Sequence, residues 1–307
     1  MKKSFFIMSL FLGIGLFDNV YAAAKSKPMF NKPMLGKPMF SVFSWNILGP
    51  NTQDVDSFFP EKKGDYSRLN QTLKHIPNYA DKASFMPSIL SFQEVDQISR
   101  KKLGNALKAK GYVEVAYQPK GRNGGTVLYV KQSDFKVIKR GGIDLGDGGS
   151  AALGLLQSKK TNTKILASSL HLSRGDDSRT DNIQKGERQL TKLQAASQKI
   201  LAGENSKKVH KIFAGDFNTN AQEMKTSSLG FLQRIDNDFK KYFDIFAGAT
   251  TSNDVSGQRK GIDHIVSSDN LLKVCQFSKI IGNNPGKRIH DQVPSDHAVL
   301  YAVFQDQ

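Results

Sequence analysis

The chain has 307 residues, and its 44 Lys and Arg residues against 28 Asp and Glu residues give a formal net charge of +16. A single cysteine, Cys275, excludes an internal disulfide, so the fold must depend on its hydrophobic core. An excess of positive charge attracts polyanions, either nucleic acid or an anionic membrane surface, and it does not distinguish between the two.

The first predicted element is a secretory signal peptide at residues 1–24. Lys2 and Lys3 precede an apolar run at 5–17, and Ala22, Ala23 and Ala24 follow it. The apolar run is shorter than the roughly 20 residues that cross a bilayer, although an uncleaved anchor is the alternative. We expect cleavage after one of the three alanines, a bacterial chain exported to the periplasm or secreted, and no membrane span in the mature chain.

Residues 25–39 are predicted to form a linker or an extended arm. The triplet Lys-Pro-Met occurs three times, beginning at Lys27, Lys32 and Lys37. Proline at every fifth position prevents a helix and disfavours a central strand. The evenly spaced methionines could instead bind a soft metal such as Cu(I).

Residues 40–307 are predicted to form a single α/β domain with a substantial antiparallel component, because short apolar strands alternate with amphipathic helices. The predicted strands cover 40–47, 89–92, 125–130, 151–156, 164–171, 209–214, 262–266 and 298–304, and the segment around Cys275 also has the pattern of a strand. Helices are predicted at 66–76, 98–110 and 181–201. Turns are expected at Gly141-Gly142, at 146–149 and at 283–286.

Four segments end an apolar run with polar residues that phosphodiester hydrolysis requires. They are Ser-Trp-Asn-Ile-Leu at 44–48, Ser-Phe-Gln-Glu-Val at 91–95, Ala-Gly-Asp-Phe-Asn at 214–218 and Val-Pro-Ser-Asp-His at 293–297. Mg²⁺ takes one or two carboxylates from a protein and keeps several waters. Glu94 suits that role, because an apolar strand that ends in a charge needs a reason to hold it. Asp296 can also reach the metal or its waters.

The second group of candidates handles water and phosphate. Asp216 is predicted to orient and deprotonate the attacking water, and Asn218, two residues later, can offer its amide to the phosphate or its carbonyl to the metal. His171 and His297 are candidate donors to the charge that develops on phosphorus, and Asp263 is the expected partner of His297.

In this order the four motifs resemble the endonuclease/exonuclease/phosphatase superfamily, and Asp-Tyr-Ser-Arg at 65–68 and Gly-Thr-Val-Leu-Tyr at 125–129 resemble its branch of nocturnin and related poly(A) deadenylases. His264 departs from that branch, in which an aromatic residue is usual. The resemblance implies a four-layer α/β sandwich of the DNase-I-like type, with two mixed, largely antiparallel sheets packed face to face and helices outside. It also implies a Mg²⁺ cofactor, with Mn²⁺ as an alternative, and places Asn46 beside Glu94 in the metal shell.

Three function hypotheses follow from these observations. The first is a secreted nuclease on RNA or single-stranded DNA, acting as a monomer, whose backbone contacts would come from Lys120, Arg122, Asn123, Lys287 and Arg288 on glycine-rich loops. The second is a phosphodiesterase or phosphatase for a lipid head group or a small metabolite. The third is a non-catalytic polyanion-binding protein, which the complete set of catalytic residues disfavours.

Overall fold

The structure is a computed structural model that describes residues 39–49, 66–71, 73, 76, 87–121, 124–173, 179–219, 242–244, 251–253, 259–268, 275–281, 287, 289 and 292–306. The predicted signal peptide, the Lys-Pro-Met arm up to residue 38 and the predicted turn at 283–286 lie outside these residues. Neither helix within them combines the length and the apolar character needed to cross a membrane.

Strands dominate the described part of the chain. In chain order they are β1 (Met39–Asn46), β2 (Ile89–Val95), β3 (Tyr112–Pro119), β4 (Gly125–Lys131), β5 (Phe135–Gly146), β6 (Gly149–Ser158), β7 (Lys164–His171), β8 (Val209–Asp216), β9 (Tyr242–Asp244), β10 (Ser252–Asn253), β11 (Arg259–Lys260), β12 (Asp263–Ser268), β13 (Cys275–Ile281) and β14 (Val299–Gln305). The helices are α1 (Gln97–Lys108) and α2 (Arg179–Leu201), and residues 67–71, 73 and 76 are also helical.

Two six-stranded sheets have the same pattern of strand directions. The first sheet has the order β13-β14-β1-β2-β4-β3, and the second has the order β9-β12-β8-β7-β6-β5. In each sheet the third and fourth strands run parallel, and the other neighbours run antiparallel. Because parallel strands point the same way, β1 with β2 and β7 with β8 each bring their carboxyl ends to one edge of their sheet.

The two sheets pack face to face and form four layers with the helices. One apolar cluster fills the space between the sheets, with Val42, Ile89, Leu128, Leu156, Ile165 and Ile212 among its members. A second cluster joins the outer face of the first sheet to Leu103 and Leu107 of α1, and a third joins the outer face of the second sheet to Leu190 and Leu193 of α2. The predicted four-layer sandwich is therefore confirmed.

The predicted elements differ from the structure mainly at the sheet edges. The sequence analysis did not predict β3 or β5, and the prediction of a turn at Gly141-Gly142 is wrong, because both glycines lie inside β5. Both strands are edge strands whose residues are largely half-buried or exposed, so they lack the apolar runs that identify central strands. The predicted turn at 146–149 is confirmed, since it closes the hairpin between β5 and β6.

Candidate active site

The second sheet places three of the predicted residues side by side at one edge. His171 ends β7, Asp216 ends β8, and Asp263 begins β12. His171 pairs with Asp216 in the parallel ladder, and Asp216 pairs with Asp263 in the antiparallel ladder. Neighbouring strands lie ~5 Å apart, so the register alone brings a histidine and two carboxylates together.

The first sheet contributes Asn46 and Glu94, and Asn46 joins the two sheets. Asn46 Nδ2 donates to Glu94 Oε1 at 2.8 Å and to Asp216 Oδ2 at 3.1 Å. Its Oδ1 accepts from the backbone N–H of Leu48 at 3.0 Å. Asn46 therefore holds one carboxylate from each sheet, and in this orientation its amide nitrogen, rather than its oxygen, faces them.

Three residues at the site have left-handed backbone conformations, with φ of 58° at Glu94, 50° at Asn218 and 48° at Leu48. Residues other than glycine adopt such angles at a cost of about 1 kcal/mol or more each. Strained backbone of this kind is concentrated at functional sites. The strain therefore supports the assignment of these chain segments to an active site.

The loop at 293–297 is fastened to the end of β1. Ser295 Oγ donates to Asn46 O at 2.7 Å, and Trp45 Nε1 donates to His297 O at 3.0 Å. Buried Arg68 donates through Nη1 to Ile47 O at 2.9 Å and to Pro294 O at 3.0 Å. These contacts fix Asp296 and His297 relative to Asn46.

His297 is a buried histidine surrounded by carboxylates. Its Nδ1 lies 2.8 Å from Asp263 Oδ2, and its Nε2 lies 3.8 Å from both Asp216 Oδ2 and Asp296 Oδ2. Burial opposes the charged form, but the negative charges of Asp263, Asp296 and Asp216 outweigh it and hold the pKa of His297 well above its usual value. His297 is therefore an imidazolium that donates from Nδ1 to Asp263 and directs a second N–H into the site.

Asp216 lies at the centre of the cluster and has a pKa suited to proton transfer. Burial and the charge of Asp263 raise the pKa of Asp216 to about 6, although His297 and hydrogen bonds lower it. One of these bonds comes from the backbone N–H of Asn218 to Asp216 Oδ1, at 2.8 Å. Asn218 in turn donates from Nδ2 to Leu172 O at 2.7 Å, which orients its side chain.

His171 has the opposite electrostatic environment to that of His297. Burial, together with the positive charges of Lys120 and His297, lowers the pKa of His171 well below its usual value, so the ring is neutral. Lys120 Nζ lies 3.4 Å from His171 Nδ1, and the ammonium group makes Nδ1 the acceptor. The proton of His171 is therefore on Nε2, which lies 3.7 Å from Asp216 Oδ2.

The carboxylates form a site that fits a divalent cation. Burial and the negative charges of Asp296 and Asp216 raise the pKa of Glu94 to about 7. Ligand atoms of Glu94, His171 and Asp216 lie within 4.8 Å of one another. A hard cation prefers such oxygen-rich clusters and would relieve the repulsion that raises these pKa values. Glu94 and Asp296 are the residues that would hold it, next to Asp216.

A buried polar network lies directly beneath the site, between the sheets. Gln93 Nε2 donates to Ser91 Oγ at 2.8 Å and to Ser169 Oγ at 3.0 Å. Ser91 Oγ donates to Ala214 O at 3.1 Å, and Ser169 Oγ donates to Phe92 O at 2.9 Å. Three of these four bonds cross between β2 and the opposing sheet, so the network fixes the position of Glu94 relative to Asp216 and His171.

The structure gathers most of the predicted site residues in one place. Asn46, Glu94, His171, Asp216, Asn218, Asp263, Asp296 and His297 form the cluster, and Lys120 contacts it. Lys287 is exposed, and its carbonyl accepts from Gln292 Nε2 at 3.4 Å; Arg122, Asn123 and Arg288 lie outside the described residues. Five residues that position this cluster were not predicted from the sequence: Arg68, Ser91, Gln93, Ser169 and Ser295. Polar residues inside apolar strands were the available signal for three of these five.

Comparisons with solved structures show the same architecture in enzymes of different substrates. The human nocturnin catalytic domain with bound sulfate is 21% identical, with a TM-score of 0.62 over 88% of this chain and 95% of that chain. A Bacteroides thetaiotaomicron mannosyl-6-phosphatase is 18% identical, with a TM-score of 0.61 over 86% and 98%. D. rerio TDP2, complexed with a single-strand DNA product, is 16% identical, with a TM-score of 0.61 over 88% and 100%. At sequence identities of 16% to 21%, these similarities show that the fold is shared.

Sequence comparison gives the family. No curated protein matches this chain. The family model described as Endonuclease/Exonuclease/phosphatase family matches residues 43–297, a range that contains all four motifs and extends from β1 to His297. Enzymes of this family are phosphoric ester hydrolases that depend on a divalent metal. The chain therefore belongs to the endonuclease/exonuclease/phosphatase family of phosphoric ester hydrolases.

Proposed function

We propose that this protein is a Mg²⁺-dependent phosphodiesterase that cleaves RNA or single-stranded DNA. The observation that carries the proposal is a pair of carboxyl groups, from half-buried Glu94 and buried Asp216, that Asn46 holds together across the two sheets, with a charged and a neutral histidine beside it. This arrangement supplies an oxygen site for a hard cation, a base and two N–H donors, which are the groups that phosphoryl transfer to water requires.

Asp216 would act on the attacking water. A carboxylate with a pKa of about 6 can accept a proton near neutral pH, and the N–H of Asn218 fixes its orientation. When bound at Glu94 and Asp296, a divalent cation would neutralise the phosphoryl oxygens. The left-handed backbone at Glu94 and Asn218 would position the Glu94 carboxylate and the Asn218 N–H that orients Asp216 before the substrate binds.

His297 and His171 would stabilise the charge that develops on the phosphoryl group. His297 brings a positive charge and an N–H donor, and its hydrogen bond to Asp263 prevents the ring from rotating. His171 brings a neutral donor whose tautomer is fixed by Lys120. The ammonium of Lys120 lies close enough to this cluster to contact a phosphate oxygen of the substrate.

Charge supports a polynucleotide as the substrate. The chain carries a net charge of +16, and Lys120 brings a cation to the site itself. The fold is shared with TDP2, which has been solved with a single-strand DNA product. It is also shared with a mannosyl-6-phosphatase, and this makes a small phosphate ester the second candidate.

Cleavage of end-labelled single-stranded RNA and DNA tests the proposal. With Mg²⁺ the protein should give shorter products, which should disappear in EDTA and with the Asp216→Ala variant. The replacement of Asp216 should lower turnover by about a hundredfold or more, because a positioned general base contributes on that order. Mannose 6-phosphate and sphingomyelin should be assayed in parallel. If either is hydrolysed and the polynucleotides are not, the nuclease proposal is wrong.

We also propose that the chain is exported. The basic residues Lys2 and Lys3, the apolar run at 5–17 and the alanines at 22–24 support this proposal. Amino-terminal sequencing of the protein from a periplasmic or culture fraction should give a first residue between positions 23 and 25. An intact first residue in the cytoplasmic fraction alone would contradict export.

A further inference from the structure

The groove between β5 and α2 has the properties of a binding surface for an extended anionic chain. It has a volume of about 460 Å³ and is bordered by Lys192 and Lys199 of α2, with Arg140 at its β5 end. Its other lining residues, among them Ile143 and Ile200, are all glycine or apolar. The lining set contains no acidic residue.

The basic side chains along the groove are available to a ligand. Arg140, Lys192 and Lys199 are exposed, and none of them forms an ion pair within the described ranges. Of the acids on the adjacent hairpin, Asp147 is paired with Arg188 at 3.2 Å, and Asp144 accepts from the N–H of Gly146 at 2.8 Å. Within the described residues, neither acid therefore forms an ion pair with Arg140, Lys192 or Lys199.

The groove leads directly to the active site. The hairpin at 146–149 joins β5 to β6, and Ser150 at its end pairs with His171. Lys192 lies so close to Gly146 that a β-carbon at that glycine would collide with its ammonium group. Lys120, which contacts His171, lies near Gly148 of the same hairpin. Its Cε is 3.6 Å from the position that a β-carbon at Gly148 would occupy.

Gln189 links the hairpin at 146–149 to the segment that follows His171. It is fully buried, and its Nε2 donates to Gly146 O at 2.8 Å and to Ser173 Oγ at 2.6 Å. Its Oε1 accepts from the N–H of Ser173, two residues after His171, at 3.1 Å. The groove, the hairpin and the segment that follows His171 are therefore held together by one side chain.

We infer that this groove binds the phosphate backbone of a single-stranded polynucleotide on one side of the cleaved bond. Six residues of β5 separate Gly146 from Arg140, which corresponds to ~20 Å of strand, enough for several nucleotides. Basic residues along the rim would contact phosphates, and the aliphatic floor around Ile143 and Ile200 would contact sugars or bases. The inference rests on the proposed nuclease function and specifies how its substrate is held.

The test compares two triple variants with equal loss of charge. The groove variant carries Arg140→Gln, Lys192→Gln and Lys199→Gln. The control variant carries Lys101→Gln, Lys108→Gln and Lys110→Gln, three exposed positions at and just after α1 on the other side of the molecule. Binding of a fluorescein-labelled 20-nucleotide RNA and of a labelled dinucleotide is measured for the full chain by anisotropy in EDTA, from 0.05 to 1 M salt.

The groove variant should bind the 20-mer between about tenfold and a hundredfold more weakly than the wild type at 0.1 M salt, and this difference should disappear near 1 M. Each phosphate contact on a single strand contributes about 0.7 to the slope of log affinity against log salt, so the slope should fall by about 2. The affinity for the dinucleotide should change much less. The control variant should bind the 20-mer within about threefold of the wild type, with an unchanged slope.

Several outcomes would overturn the inference. They are wild-type affinity and slope in the groove variant, an equal loss in the control variant, and an equal loss for the dinucleotide. Loss of binding to phosphatidylglycerol vesicles in the groove variant, with full retention of RNA binding, would also overturn it.

Cleavage assays distinguish the groove proposal from the nuclease proposal. If the groove variant loses affinity for the 20-mer but the wild type cleaves no polynucleotide, only the nuclease function is contradicted. If the wild type cleaves the polynucleotide but the groove variant binds the 20-mer as the wild type does, only the groove is contradicted.

Discussion

Asp263 controls the protonation state of His297, and the pH dependence of hydrolysis should reveal this control. The carboxylate accepts from Nδ1 at 2.8 Å and is the main attractive charge that raises the pKa of the histidine. Asp263→Asn removes this charge, so the pKa of His297 should fall. If protonated His297 is required, the alkaline limb of the pH profile of kcat/KM should move to lower pH by about one unit or more.

A remote carboxylate serves as the control for this experiment. Glu204 pairs with Lys164 at 2.5 Å near the other end of β7 and β8, so Glu204→Gln removes one negative charge away from the site. The alkaline limb of this variant should coincide with that of the wild type. An unshifted limb in Asp263→Asn, with His297 still in place, would show that the charge of His297 is not needed for hydrolysis.

The residues predicted for the site lie together in one cluster, whereas the side chains that position them were not predicted. Glu94, Asp216 and His297 were identifiable because charged or polar residues follow apolar runs, and a fold that buries those runs must have a use for the charges. Lys120 was predicted as a loop cation that grips substrate, whereas the structure places its ammonium against His171. That contact depends on a hairpin formed by β5, an edge strand without an apolar run, so local patterns could not predict it.

At the level of the strands, Gln93 and its two serine partners should be the main polar contribution to sheet packing beneath the site. Gln93→Leu roughly keeps the volume but removes the buried donor to Ser169 Oγ and one of the two donors to Ser91 Oγ, which also accepts from Ser44 Oγ at 3.4 Å. We expect a loss of about 1–3 kcal/mol in the free energy of unfolding, measured by urea denaturation of the metal-free protein, and a lower kcat.

Thr126→Val is the matched control for Gln93→Leu. Thr126 is fully buried in β4, and its hydroxyl has no hydrogen-bond partner in the described part of the chain. Replacement by valine keeps the shape and removes an unsatisfied polar group, so the free energy of unfolding should stay the same or rise. A loss of stability in Gln93→Leu no larger than that in Thr126→Val would show that the network does not hold the sheets in register.

The approach of β7 to β8 requires glycine at position 215. Gly215 has a φ of 148°, and a β-carbon there would collide with the carbonyl oxygen of Leu170. Gly215→Ala must therefore separate the two parallel strands that carry His171 and Asp216. We expect a loss of at least about 2 kcal/mol in the free energy of unfolding and a fall in kcat.

Gly203 provides a comparison that isolates this collision. Its φ of 83° is also unfavourable for alanine, but a β-carbon there meets no atom within 4 Å. Gly203→Ala should cost about 1 kcal/mol through backbone strain alone and leave kcat unchanged. Equal costs in the two variants, with normal activity in both, would exclude a steric role for Gly215.

The edge strands explain why the strands were predicted only in part. The central strand β7 was predicted with the bounds that it has in the structure, 164–171, because both of its faces are buried and it contains the apolar run Ile165-Leu166-Ala167. In β5, polar residues alternate with half-buried ones, and two adjacent glycines are more typical of turns. Glycine is required at position 142, because a β-carbon there would lie 2.7 Å from Tyr117 O and 2.8 Å from Gln118 Oε1, a tertiary cause that the sequence does not show.

At the level of the whole molecule, the stability of the metal-free protein should depend on the ionisation of Glu94. Because the folded-state pKa of Glu94 is about 7 and the ordinary value is 4.5, protonation favours the folded state. This contribution is fully present below pH 4.5 and is lost as the pH rises through 7. In EDTA, Glu94→Gln should therefore gain in Tm relative to the wild type between pH 5 and pH 8.

With a divalent metal bound, the wild type should instead have a higher Tm than Glu94→Gln. Binding only to the folded state at a hundredfold excess over Kd adds about 2.7 kcal/mol, and the variant that lacks the Glu94 carboxylate should gain much less. Glu204→Gln, tested under the same conditions, should follow the wild type with and without metal. Equal metal-induced shifts of Tm in the wild type and Glu94→Gln would show that the cation binds elsewhere.

The strand order has a consequence for how the enzyme becomes active during synthesis. The second sheet comes from one uninterrupted stretch, residues 135–268, whereas the first sheet is assembled from 39–131 and from 275–305. β1 cannot pair with β14 before β14 has been synthesised. Trp45 likewise cannot donate to the carbonyl of His297 until that residue, 252 positions later in the chain, has been added. A ribosome-bound or prematurely ended chain that lacks residues 275–305 already carries Glu94, Asp216 and the basic groove, and we expect it not to hydrolyse a phosphate ester until His297 and β14 have been made.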